Sequence, residues 1–113
     1  MHEMSLCQNI AELIEAAAQR ERFLRVRTVT LEIGRLAAVE PGALEFCFDA
    51  AMRGGCAEGA RLEIVATDGR AWCLGCSHEI LISRPLDPCP RCGSGRVQVT
   101  GGTEMRIKEL EVE

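Results

Sequence analysis

Apolar side chains recur at helical spacing near the start of the chain. Leu6, Ile10, Leu13, Ile14 and Ala17 follow an i, i+4, i+7, i+8, i+11 pattern, the mark of one buried stripe, so residues 5–22 read as an amphipathic helix. Ser5 and Gln8 have the spacing of a capping box, which predicts a helix start just after the Met1–Glu3 segment. The period then changes to two. In RVRTVTLEI, residues 25–33, Val29, Leu31 and Ile33 share one face and Thr30 and Glu32 the other, a β-strand that Gly34 ends. A second helix is predicted from Pro41, which suits a first helical position, to an exit at Gly54-Gly55. Its stripe is Leu44, Cys47, Phe48 and Ala51. Residues 61–67 (RLEIVAT) and 103–112 (TEMRIKELEV) predict two further strands. In the last, Met105 and Ile107 fall on one parity and Leu110 and Val112 on the other, so a bulge or face change is expected near Lys108–Glu109.

Between those two strands the pattern breaks. Residues 69–101 carry four cysteines, three of the four prolines and five glycines, with no long apolar periodicity. They read as a module inserted into a domain formed by residues 1–68 with 102–113. Because the chain leaves one strand for the module and returns into the next, the strands over 61–67 and 103–112 are expected to be antiparallel neighbours. The first strand, second helix and second strand predict a βαβ unit with a right-handed crossover. The expected fold class is α+β: a small mixed β-sheet of about three strands packed with two helices, with an inserted four-cysteine zinc-ribbon module.

Composition narrows the function. With 113 residues, three Phe, one Trp and no Tyr, the chain has few large side chains to bury. A chain this short buries only about two-thirds of its unfolded surface, so part of it needs a staple other than hydrophobic packing. The net charge is −4 and no basic run exists, since Arg20, Arg22, Arg25 and Arg27 are interleaved with Glu21 and apolar residues. Nucleic acid is therefore not the expected partner. No apolar stretch approaches a membrane span, and the start lacks the basic and apolar blocks of a signal peptide. Seven cysteines, an odd count with four in tight pairs, point to reduced thiols and the cytoplasm.

The strongest chemical signal is Cys73-x-x-Cys76, twelve residues, then Cys89-x-x-Cys92. Two residues between thiols let both sulfurs face one ion from a single turn, and Gly75 and Gly93 permit the backbone geometry. Two such knuckles supply four thiolates for a structural Zn(II) with no open position for catalysis. A redox iron in the same thiolates, or a dithiol redox pair, is the competing reading. His78 follows the first knuckle and reads as a surface histidine; Cys7 and Cys47 read as core, and Cys56 has no evident role.

The start Met1-His2-Glu3 offers a second, different donor set. The amine of Met1 and the backbone nitrogen of His2 close a five-membered chelate ring, and Nδ1 of His2 closes a six-membered ring with the same backbone nitrogen. Three nitrogens in one plane suit a square-planar Ni(II) or Cu(II). The fourth position is open to a side chain from elsewhere, the Glu3 carboxylate or water; a different nitrogen set, with the imidazole released, is the alternative. A Met-His start also occurs by chance.

MHEMSLCQNIAELIE at the start, the inserted C-x2-C-x12-C-x2-C module, and the segments LEIGRLAAVEP, LEFCFDAAMRG and RLEI together resemble the HypA/HybF family of hydrogenase nickel-incorporation proteins. The resemblance covers essentially the whole chain. It implies nickel at Met1 and His2 with Glu3 close by, and zinc at Cys73, Cys76, Cys89 and Cys92. It also implies a partner GTPase of the HypB type, delivery to the hydrogenase large-subunit precursor, and a monomer or weak dimer. A nitrogen site at a terminus suits a carrier that must release Ni(II), and its affinity should fall below about pH 6.5 as imidazole protonates. The rival reading is a zinc-ribbon protein-interaction adaptor with no metal-delivery role. An enzyme is not expected: no Ser/His/Asp set is evident, there are two histidines, and Gly101-Gly102 lacks the spacing of a phosphate loop. Any GTP hydrolysis must come from a partner.

Overall fold

The computed structural model describes residues 3–113. In chain order it comprises α1 (Glu3–Glu21), β1 (Val26–Gly34), α2 (Pro41–Met52), β2 (Arg61–Thr67), β3 (Gly69–Cys73), β4 (His78–Ile82), β5 (Val97–Gly101) and β6 (Met105–Val112). The strands form two three-stranded sheets, ordered β2-β1-β6 and β4-β3-β5. The chain divides into two compact units. One runs through Leu31 and adds Val39–Ile64 and Ile107–Glu113; the other takes Glu32–Ala38 and Val65–Arg106. The α+β class and the two expected helices are as the periodicity indicates.

In the first unit, α1 buries Leu6, Cys7, Ile10, Ile14 and Ala18. Leu13, expected on this stripe, is instead 60 % exposed. At 3.6 residues per turn it lies roughly 90° from the centre of the buried set, to which Cys7 and Ala18 belong. The helix is already formed at Glu3, so Ser5 sits inside the first turn and does not cap it. Helix α2 does begin at Pro41. Its N-cap is Glu40, whose carboxylate accepts hydrogen bonds from the N–H groups of Gly42 (3.0 Å) and Ala43 (2.5 Å). Leu44, Phe48 and Met52 are buried, while Cys47 and Ala51 are only partly so. The helix stops at Met52, whose carbonyl accepts from Gly55 N–H at 3.1 Å after Gly54 turns left-handed at φ 81°.

The strand order corrects one expectation: β2 and β6 are not neighbours, because β1 lies between them. Burial explains the choice. Val26, Val29, Thr30, Leu31 and Ile33 of β1 are buried, including consecutive residues on opposite faces, whereas β2 has no buried residue. The doubly covered strand takes the centre and the exposed ones become edges. Hydrogen bonds at the strand ends give the directions. Arg35 N–H donates to Thr67 O (2.9 Å) and Val26 N–H to Cys56 O (2.9 Å), so β1 and β2 run parallel around α2. Gly34 N–H donates to Glu104 O (2.9 Å) and Glu113 N–H to Arg25 O (2.9 Å), so β6 runs antiparallel to β1.

The second unit contains three strands that the hydrophobic pattern does not announce. Strand β3 pairs antiparallel with β4, from Gly69 opposite Ile82 to Cys73 opposite His78, and antiparallel with β5 across a register shift at Arg70/Ala71. Its core is Leu36, Ala71, Cys73, Ile80, Ile82 and Cys89, with Cys76 and Val97 packed on it. Three of those eight are cysteines, which is why the core is hard to see as an apolar run.

Candidate metal centre

Cys73 ends β3, and the hairpin to β4 doubles back through Leu74, Gly75, Cys76 and Ser77. Ser77 N–H donates to Cys73 O at 2.9 Å, and Ser77 takes a left-handed φ of 55°. The second knuckle repeats this plan. Gly93 N–H donates to Cys89 O at 2.8 Å, and Gly93 has φ 76°. In both, the residue four beyond the leading cysteine closes the turn in the left-handed region, at a glycine in one case and a serine in the other. Gly75 serves differently from the expectation. A Cβ there would stand 2.8 Å from Ser94 Cβ and 3.4 Å from Cys92 Sγ, so glycine provides room for the second knuckle to approach.

The four sulfurs converge. All lie within 4.8 Å of one another, with Cys73 Sγ to Cys92 Sγ at 3.5 Å and Cys76 Sγ to Cys89 Sγ at 3.8 Å. Four thiolates about 2.3 Å from a central Zn(II) would stand about 3.8 Å apart along each tetrahedral edge, so the set fits such an ion. Cys73 and Cys89 are buried, Cys76 half-buried and Cys92 exposed. Backbone N–H groups already point at two of the sulfurs: Cys76 N to Cys73 Sγ at 3.4 Å and Arg91 N to Cys89 Sγ at 3.3 Å.

These surroundings split the thiols. Burial opposes ionisation of Cys89, but the N–H groups of Cys92 and Arg91 bring it down to about 6. Burial, hydrogen bonds with Cys73, Cys89 and Cys92, and the charge of Cys73 push Cys76 up to about 12. Four sulfurs this close cannot all carry negative charge without a cation among them, and a divalent ion would supply it. Among the described residues this is the one group of three or more potential ligands whose donor atoms converge.

His78 stays outside the group. It is exposed, and its Nδ1 donates to Cys76 O at 2.7 Å. Cys7 is buried, with its thiol donating to Leu44 O at 3.7 Å, while Cys47 and Cys56 are partly buried. Of the second donor set, Met1 and His2 lie outside the described residues. Glu3 is half-buried, and its Oε1 accepts from Glu40 N–H at 3.3 Å. The hydrophobic pattern does not single out Glu40; its place directly before Pro41 is the available signal.

A family model described as hydrogenase/urease nickel incorporation, metallochaperone, hypA matches residues 1–112. Over all 113 residues, and over the full length of each relative, the chain is 59 % identical to the hydrogenase maturation factor HypA of Azotobacter chroococcum mcd 1 and 58 % identical to that of Azotobacter vinelandii. The solution structure of the Ni metallochaperone HypA from Helicobacter pylori superposes with a TM-score of 0.72 at 27 % identity, covering 99 % of this chain and 97 % of that one. Among the described residues no helix is long and apolar enough to cross a membrane. The chain therefore belongs to the HypA family of nickel-incorporation metallochaperones for hydrogenase maturation.

Proposed function

We propose that this protein binds Ni(II) through Met1 and His2 with Glu3 beside them, holds Zn(II) structurally through Cys73, Cys76, Cys89 and Cys92, and delivers nickel to the hydrogenase large-subunit precursor. A HypB-type GTPase is the proposed partner in that transfer, and the reducing cytoplasm the place, with the protein working as a monomer or weak dimer. The supporting observation is a whole-chain family match in a sequence that opens Met1-His2-Glu3.

The two sites divide the chemistry. Residues 69–101 carry the thiolate set, where a closed four-sulfur shell leaves no position for exchange. Residues 1–68 with 102–113 carry the nitrogen set, which suits a planar d8 ion and releases it when imidazole and amine take up protons. Glu3 is tied to the N-cap of α2, so the covalent attachment of the nickel-binding start is anchored.

Nickel titration of tag-free protein tests the reading. Wild type should take up one equivalent of Ni(II); His2→Ala, and protein carrying an N-terminal extension, should lose that site and keep one equivalent of zinc. Absence of stoichiometric nickel uptake in the wild type would leave a zinc-ribbon adaptor as the better description.

A further inference from the structure

The chain has a single tryptophan, and it is not buried. Trp72 lies on β3, the central strand of its sheet, and is 41 % exposed. Alternation along β3 turns Gly69, Ala71 and Cys73 to the core and leaves Arg70 and Trp72 on the opposite, open face. Across the ladder, Glu79 of β4 and Gln98 of β5 stand opposite Trp72, and Leu81, 60 % exposed, stands opposite Arg70. A cleft of about 400 Å³ opens over this face, lined by Arg70, Trp72, Glu79, Thr100 and Glu104 with two glycines. Neither packing nor zinc binding calls for an aromatic ring there.

We propose that this face of the β4-β3-β5 sheet is a docking site for a partner's peptide segment bearing a lysine or arginine, which seats over Trp72 between Glu79 and Glu104. The indole face attracts a cation through its quadrupole. Among the described residues the carboxylates of Glu79 and Glu104 make no ion pair or hydrogen bond, so both are available to close on the incoming charge. Arg70 does not occupy the place. Its Nε leans over Gly101, 3.9 Å from where a Cβ would stand, so its stem covers the β5 side of the cleft. Two carboxylates against one guanidinium leave the cleft net negative, which favours a basic segment and disfavours an acidic one. Each exposed pair alone is worth little, so selectivity comes from three groups acting on one cation. The site is independent of nickel, and its test involves none.

Trp72 is itself the reporter. In zinc-loaded full-length protein, a short peptide of Gly-Ser-Arg repeats should change the tryptophan emission saturably, and a Gly-Ser-Glu peptide should not. Glu79→Gln/Glu104→Gln should weaken the basic peptide about fivefold. The same charge change on α2, Glu45→Gln/Asp49→Asn, should leave its affinity unaltered. No saturable response, an equal response to the acidic peptide, or an equal loss in the α2 control overturns the proposal.

Discussion

The carboxylate of Glu3, at the start of α1, accepts a hydrogen bond from the main-chain N–H of Glu40 at the N-cap of α2, across 37 residues of sequence and 3.3 Å of space. Glu40 in turn directs its own carboxylate to Gly42 and Ala43. The two glutamates thus satisfy three backbone donors where α2 begins, and their negative charge lies at the positive end of that helix. Glu3→Ala should lower stability by about 1 kcal/mol in urea unfolding, and Glu3→Gln by less, because a carboxamide oxygen still accepts. The pair of variants also separates two roles in nickel binding. If Glu3 acts by anchoring, Gln preserves the nickel spectrum and Ala disturbs it; if the carboxylate is a ligand, both disturb it.

Zinc removal should unfold the second unit selectively. If its four clustered thiols hold zinc as proposed, a core this small, to which Cys73 and Cys89 themselves belong, depends on binding energy on the order of 10 kcal/mol in place of hydrophobic burial. Chelation, or Cys73→Ser, should abolish amide protection across β3, β4 and β5 in hydrogen exchange while α1 and α2 retain theirs. Retained protection of β3 in zinc-free protein would mean that the sheet stands without the ion.

Gly34 passes so close to Gly102 that a Cβ at position 34 would overlap the Gly102 carbonyl group. Backbone atoms cannot step aside as a flexible side chain does. Gly34→Ala should therefore lower stability by about 3 kcal/mol or more, whereas Gly95→Ala, with nothing within 4 Å, should be nearly neutral. Thermal unfolding of the two variants side by side checks the contrast.

What could be read beforehand follows from side-chain size. Helices α1 and α2 and strands β1, β2 and β6 carry long aliphatic periodicities and were legible as elements. Strands β3, β4 and β5 span five residues each, and the inward positions of β3 are Gly69, Ala71 and Cys73, too small to register as a hydrophobic alternation. The cysteine spacing predicts four sulfurs meeting in a zinc-ribbon module, but not which residues around them form its strands. Chain continuity favours pairing β2 with β6, since consecutive strands usually pair, but burial of β1 on both faces outweighs it. Glu40 is hard to recognise as an N-cap because glutamate seldom serves as one; its longer side chain must fold back to reach the first amides.

Cys7 provides a test of the first unit's core that is independent of metal binding. Its side chain is fully buried between α1 and α2, hydrogen-bonded to the Leu44 carbonyl. Burial, then the charges of Cys47 and Glu3, push its thiol up from 9.0 to about 11. The raised value means the folded protein keeps the proton after the unfolded chain has released it. Below the unfolded value the contribution is complete; as pH climbs from about 9 through about 11, unfolding releases a proton and stability declines. The four clustered cysteines of the second unit are common to wild type and Cys7→Ala, so the difference between the two slopes isolates Cys7. Cys56, raised by burial and by Glu15, adds a smaller slope of the same sign. Urea midpoints should thus fall over this range in wild type. In Cys7→Ala, less stable at pH 7 for want of the sulfur, most of the alkaline slope should vanish. An unchanged slope in that variant would mean the Cys7 thiol ionises as readily in the fold as out of it.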